Sequence, residues 1–241
     1  MLHYLLDLLF PQKPLVRELE RMDPFDLASR AEKPEGRAGK ALLSCFSYRD
    51  PTIRQAIWEL KYRGNKKVAT LLATILHDEL LAFLEEYAPL TNFTDPLIIP
   101  IPLSKKRESE RGFNQCRLLV DEIMRLDTPS PVPSSVEEGC PLGRGGGASL
   151  SRSGGGVSGR NFTLSLALTK IKDTASQTKA ENKESRMKNL ENCFHADTDA
   201  VRGRNIILID DVATTGATLA EARRTLRHAG ARKVIAFTVA H

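Results

Sequence analysis

The stretch NIILIDDVATTGATLAEARRTLRHAGARKVIAFTVA, residues 205–240, decides the fold. NIILID (205–210) is an unbroken apolar run with the length of a strand buried on both faces. DVATTGAT is a tight turn of small residues. LAEARRTLRHAG returns to helical periodicity and stops at Gly230, and KVIAFTVA (233–240) is a second buried strand. Strand, helix and strand make one βαβ unit, right-handed by default.

Upstream, the same alternation continues. ALLSCFSY (41–48) reads as a strand. DPTIRQAIWELKYRG follows as a helix, with Asp50 as N-cap, Pro51 at the first helical position and Gly64 as the stop. Apolar residues at 3- and 4-residue spacing predict a long amphipathic helix over 68–87. LIIPIP (97–102) has the length of another buried strand. LSKKRESERG then reads as a charged loop, FNQCRLLVDEIMRL (113–126) as a helix, and LSLALTKIKD (164–173) as a strand. Trp58, Phe113 and the Leu and Ile residues of 68–84 are expected in the core. Strands alternating with helices predict an α/β fold built on a parallel sheet.

Two segments fall outside this pattern. Residues 1–40 read as an N-terminal extension. Leu5, Leu6, Leu8 and Leu9 share one apolar helical face, after which charge, Pro and Gly dominate. Between 128 and 160, 20 of 33 residues are Gly, Pro or Ser, too little apolar surface to repay ordering, so this is read as a flexible insertion. The predicted organisation is one domain over 41–241, interrupted at 128–160.

Composition narrows the function classes. Hydrophobic residues at 41% and charged residues at 27% match a globular chain, not a disordered one. The net charge of +5 suggests an anionic partner and is too small to demand nucleic acid. Cys45, Cys116, Cys140 and Cys193 form no CxxC pair, which excludes a zinc ribbon, a thioredoxin motif and a secreted disulfide framework. The five histidines are dispersed, so no metal-ligand set stands out. MLHYLLDLLF lacks a basic lead and a cleavage site, and no run reaches the ~18 apolar residues of a membrane span. A reduced, cytoplasmic, soluble protein is expected.

Chemistry concentrates where the 205–210 strand ends. Asp210 and Asp211 leave it together, and Ala213, Thr214, Thr215, Gly216, Ala217 and Thr218 open onto a helix N-terminus. Free N–H groups there favour a phosphate, the threonines add hydroxyl donors, and small side chains let the backbone close around the anion. Carboxylates repel phosphate, so they must face another part of the same ligand. A vicinal diol donates hydrogen bonds to them, and the implied ligand is a ribose 5-phosphate.

At these residues the chain resembles the type I phosphoribosyltransferases, whose signature is a hydrophobic strand, two acidic residues and a Thr-Gly-x-Thr turn. LKYRG, IIPIPLSKKRESERGFNQ and SQTKAENKESRMKNLENCF, in that order, are similar to the ComF-type (competence protein F) branch. The resemblance implies a parallel sheet with helices on both faces and a small hood. It implies binding of 5-phosphoribosyl-1-pyrophosphate, with Mg2+ held mainly through that substrate, and attack of a nitrogen acceptor with loss of pyrophosphate. Asp210 and Asp211 would hold the diol and 213–218 the 5-phosphate. Lys105, Lys106, Arg107 and Arg111 would hold the pyrophosphate, and Lys61 and Arg63 would face the same cleft. Residues 172–189 match the family's mobile catalytic loop, with Gln177, Arg186 and Asn189 at the pattern's polar positions and Arg186 as a catalytic residue.

The lead-in LLDLLFPQKP is kept, while the four-cysteine zinc ribbon usual in that branch does not follow it. The expected partner is the small-molecule substrate; nucleic acid is allowed but not required, no membrane partner is expected, and a homodimer is compatible with the resemblance. The alternative reading is a non-catalytic phosphoribosyl- or nucleotide-binding protein acting in regulation or DNA uptake.

Overall fold

A computed structural model describes residues 14–34, 42–128, 161–172 and 192–241 of the 241-residue chain. The apolar face at Leu5–Leu9, the insertion beyond 128, and Gln177, Arg186 and Asn189 lie outside the described residues.

Among the described residues two short helices come first, α1 (Pro14–Leu19) and α2 (Pro24–Arg30). The sequence reading placed no element here, although Asp23 and Pro24 are a local start signal: the Asp23 carboxylate accepts from the Phe25 N–H at 2.8 Å. Leu19, Leu27 and Ala31 join the larger core. Strand β1 (Leu42–Phe46) leads to α3 (Pro51–Arg63), which starts as expected, with the Asp50 carboxylate accepting from the Thr52 and Ile53 N–H groups. α3 stops at Gly64 in the left-handed region, φ 57°. Ile53, Ala56, Ile57 and Leu60 are its buried stripe. Trp58 is out of phase with that stripe and 44% exposed, so the core position expected for it is corrected. α4 (Lys66–Thr91) is the long amphipathic helix, and β2 (Leu97–Pro100) follows, wholly buried.

The charged segment after β2 is a helix, α5 (Lys105–Arg111), and not the expected loop. The Ser104 hydroxyl accepts from the Arg107 N–H at 3.4 Å and Gly112 ends it at φ 77°. α6 (Gln115–Leu126) comes next. The single strand expected at 164–173 is two. β3 (Thr163–Leu164) belongs to the main sheet, while β4 (Leu168–Lys170) pairs antiparallel with β5 (Phe194–Ala196) in a separate ribbon, the small hood. α7 (Thr198–Val201), β6 (Asn205–Val212), α8 (Ala217–His228) and β7 (Lys233–Ala240) complete the described elements.

The main sheet has the order β1-β7-β6-β2-β3 and is parallel throughout. Ile207 pairs in register with Ile235 on one side of β6 and with Ile98 on the other. Successive residues of a strand point to opposite faces, and the two cores follow that alternation. Ile207 and Ile209 pack with α3, α4 and α6, while Ile206 and Leu208 pack with α8 and the hood residues Leu168 and Phe194. Helices therefore cover both faces of the sheet.

The described segments on either side of residues 129–160 are joined to each other. Buried Asp127, at the end of α6, accepts from Asn161 Nδ2 at 2.8 Å and from the Phe162 N–H at 3.0 Å. No described helix is long and apolar enough to cross a membrane.

Candidate active site at the carboxyl ends of β2 and β6

β2 and β6 are neighbours, and their carboxyl ends open onto a cavity of about 150 Å³. In open α/β sheets ligands bind outside these ends. Asp210 and Asp211 are both buried and line it, with Lys61, Arg107, Arg111, Gln115, Cys116, Lys170 and Thr218.

The two carboxylates have different partners. Asp211 accepts an ion pair from Lys61 Nζ at 2.9 Å. Lys61 is raised above its ordinary value: burial works against the ammonium, and the charge and hydrogen bond of Asp211, joined by the charge of Asp210, together outweigh it. Asp210 accepts from Cys116 Sγ–H at 3.3 Å and from the Asp211 N–H at 2.9 Å. Burial, reinforced by the Asp211 charge, pushes Asp210 up to about 7. Burial likewise lifts the Cys116 thiol well above its ordinary value, with Asp210 and Asp211 adding to it, so this cysteine keeps its proton.

Local sequence signals position these groups. Gly64 lets the end of α3 approach Phe113: a Cβ at Gly64 would stand 3.1 Å from that ring. The segments LKYRG and RGFNQ therefore pack on each other. Asn114 caps α6, accepting from the Cys116 N–H at 2.9 Å, and its Nδ2 donates to the Ile101 carbonyl at 3.0 Å, which ties α6 to the end of β2. Arg111 Nη1 donates to Gln115 Oε1 at 2.9 Å.

At the turn after β6, Gly216 takes φ 71° and α8 begins without a side-chain N-cap. Thr215 Oγ1 meets the Ala217 N–H at 3.4 Å. Ala213 is held from both sides: its N–H donates to the Ala240 carbonyl at 3.0 Å, and its carbonyl accepts from His241 Nδ1–H at 2.6 Å. Thr214 and Thr215 are exposed, and Thr218 lines the cavity.

Of the four basic residues expected to hold pyrophosphate, Arg107 and Arg111 line the cavity with the aspartates. Lys105 and Lys106 project from α5 as exposed residues and do not. Lys61 reaches the cavity; Arg63 instead lies 3.8 Å from Glu59 and over the Trp58 ring. Cys116, Gln115 and Lys170 were not singled out from sequence. The signal for the first two was the Asn114 cap, which sets the start of α6 against the strand ends. A larger cavity of about 490 Å³, between α4 and the β1 edge, contains none of these groups.

Cys116, Asp210 and Asp211 bring their ligand atoms within 4.8 Å of one another. The trio fits a hard divalent cation poorly. Mg2+ takes oxygen ligands, whereas the thiol keeps its proton and an ammonium already sits on Asp211.

Residues 159–241 match the phosphoribosyl transferase domain. Over 198 residues the chain is 31% identical to Competence protein ComFC of Bacillus subtilis (strain 168), covering 81% of this chain and 62% of that relative. It is 28% identical over 194 residues to DNA utilization protein YhgH of Salmonella typhi, covering 80% and 68%. Competence protein F of Haemophilus influenzae is 29% identical over 140 residues, covering 57% and 46%. The chain thus spans 62% of the length of its Bacillus relative. The parallel sheet and the paired strand-end aspartates thus accompany a likeness to the phosphoribosyl transferase domain over residues 159–241 and to Competence protein ComFC over 81% of the chain.

Proposed function

We propose that the protein transfers 5-phosphoribosyl from phosphoribosyl pyrophosphate to a nitrogen acceptor, releasing pyrophosphate. One observation carries this reading: the carboxylate pair that runs into the phosphate turn shares a cavity with Arg107 and Arg111. Asp210 and Asp211 accept hydrogen bonds from the ribose diol, and the Gly216 turn with the start of α8 takes the 5-phosphate. Arg107 and Arg111 face the diphosphate and stabilise charge as it departs. Mg2+ carried in on the substrate would add to the charge neutralisation that Arg107 and Arg111 supply.

The bond from the anomeric carbon to the diphosphate oxygen breaks, and its electron pair leaves with pyrophosphate. The acceptor nitrogen forms the new bond to that carbon and loses its proton to solvent. Lys61 holds the Asp211 carboxylate in place for the diol.

The test is a thermal shift with phosphoribosyl pyrophosphate and Mg2+, followed by pyrophosphate release with a panel of nitrogen acceptors. Both signals should vanish in Asp210→Asn/Asp211→Asn. A second reading draws on the names of the relatives, which point to competence and DNA utilization: a phosphoribosyl-binding protein without catalysis, serving DNA uptake. A ligand-induced shift without pyrophosphate release from any acceptor would favour it.

A further inference from the structure

Cys116 is the second residue of α6 and only 1% exposed, so water does not reach its sulfur. Three contacts fix where that sulfur lies. The Asn114 side chain caps the helix on the Cys116 N–H and is tied in turn to the Ile101 carbonyl. The cysteine packs into the core that holds Ile99, Ile101 and Leu208. Its thiol donates to Asp210 Oδ1 at 3.3 Å, and the Asp211 N–H donates to the same oxygen at 2.9 Å. In a core a free cysteine behaves as a small hydrophobe and needs no partner. This one gives its only proton to a carboxylate that lines the cavity.

We infer that Cys116 is a positioning residue: by holding Oδ1 of Asp210 inward, it leaves Oδ2 as the oxygen that meets the ribose diol. The inference rests on the transfer reading proposed above. Burial keeps the proton on sulfur, so donor and acceptor do not exchange roles. The same hydrogen bond favours the charged carboxylate, against the burial and the Asp211 charge that push Asp210 up. The other charged groups about Asp210 are Lys61, paired with Asp211, and Arg107, Arg111 and Lys170 on the cavity wall. Thr238, its neighbour in register on β7, is neutral.

The experiment compares the full chain with Cys116→Ala and Cys116→Ser. Both substitutions lose volume, and only serine restores a donor. Phosphoribosyl pyrophosphate with Mg2+ is titrated calorimetrically into each protein, on the alkaline side of the Asp210 titration. Cys116→Ala should bind about tenfold more weakly, the scale of one hydrogen bond to a charged group, and Cys116→Ser should recover most of that loss. A role in packing alone predicts the reverse order, because a buried hydroxyl suits an apolar gap less well than a methyl group. With isotope-labelled aspartate, the Asp210 carboxyl resonance (assigned by its absence in Asp210→Asn) is then followed against pH without ligand. It should titrate at higher pH in Cys116→Ala than in the parent chain, and not in Cys116→Ser. Thermal melts check that both variants fold.

Equal affinity in Cys116→Ala and the parent chain overturns the inference. So does a serine variant that binds no better than alanine, or an Asp210 titration that alanine leaves in place. In each of these cases pyrophosphate release by the parent chain keeps the transfer reading standing. If the Asp210 resonance moves as expected while phosphoribosyl pyrophosphate binds none of the proteins, the hold of Cys116 on Asp210 stands and the transfer reading falls.

Discussion

Lys61 Nζ meets Asp211 Oδ2 at 2.9 Å, joining the end of α3 to the end of β6. The Asp211 side chain is 4% exposed and that of Lys61 24%, so the pair lies largely out of water. Breaking a buried pair costs more than the pair contributes, because one charge is left without a partner. Lys61→Met should therefore destabilise the fold by about 3 kcal/mol, measured by urea unfolding. Adding Asp211→Asn should recover part of that loss, and Lys61→Arg should cost less.

The raised Asp210 carboxyl predicts a pH dependence of stability. Its folded value, about 7, exceeds the ordinary 3.8, so between these values the folded chain binds more protons than the unfolded one. Its contribution is intact below about pH 4 and is lost as pH rises through 7. Asp210→Asn should flatten the stability profile in that window. A slope unchanged in the variant would assign the titration to another group.

Arginines and lysines of α5 should separate kinetically. Arg107→Ala and Arg111→Ala should each lower the rate of pyrophosphate release about a hundredfold, the scale for a lost donor to developing charge. Lys105→Ala and Lys106→Ala, on the exposed side, should change it less than about twofold, within the range of surface substitutions. Equal losses at all four positions would mean that the diphosphate lies along α5 and not in the cavity.

Asp127 joins the described segments on either side of residues 129–160. Asp127→Ala leaves the Phe162 N–H without its acceptor in a buried place. The expected cost is about 2 kcal/mol, or about 5 °C in melting temperature for a chain of this size. Asp127→Asn, which can still accept, should cost less in the same melting experiment.

Two glycines should respond differently to alanine. Both have positive φ, but a Cβ on Gly216 meets nothing within 4 Å, while one on Gly64 meets the Phe113 ring at 3.1 Å. Gly216→Ala should cost about 1 kcal/mol, the backbone penalty alone. Gly64→Ala should cost more, because Phe113 must also move, and chemical denaturation of the two variants checks the order.

Much of the architecture was legible because its signals are local. Asp50, Pro51 and Gly64 start and stop α3 where the cap and turn chemistry requires, and the apolar runs at 205–210 and 233–240 became the adjacent strands β6 and β7. The same chemistry stood unread at Asp23–Pro24, Ser104 and Gly112, which start α2 and bound α5. The helical phase of α3 already put Trp58 outside the stripe of Ile53, Ala56, Ile57 and Leu60.

By itself, then, the sequence determined the parallel α/β sheet and the carboxylate-and-turn motif at a strand end, since both follow from periodicity and adjacent residue types. Tertiary structure alone decided the partners. Strand propensity at 164–173 could not say that Leu164 would pair with Ile98 and Leu168 with Ala196, in two different sheets. Nor could the motif say that Lys61 would meet Asp211, Cys116 would meet Asp210, and only Arg107 and Arg111 of the four basic residues would turn into the cavity. Those contacts join residues distant in the chain, and the packing of helices across the sheet sets their directions.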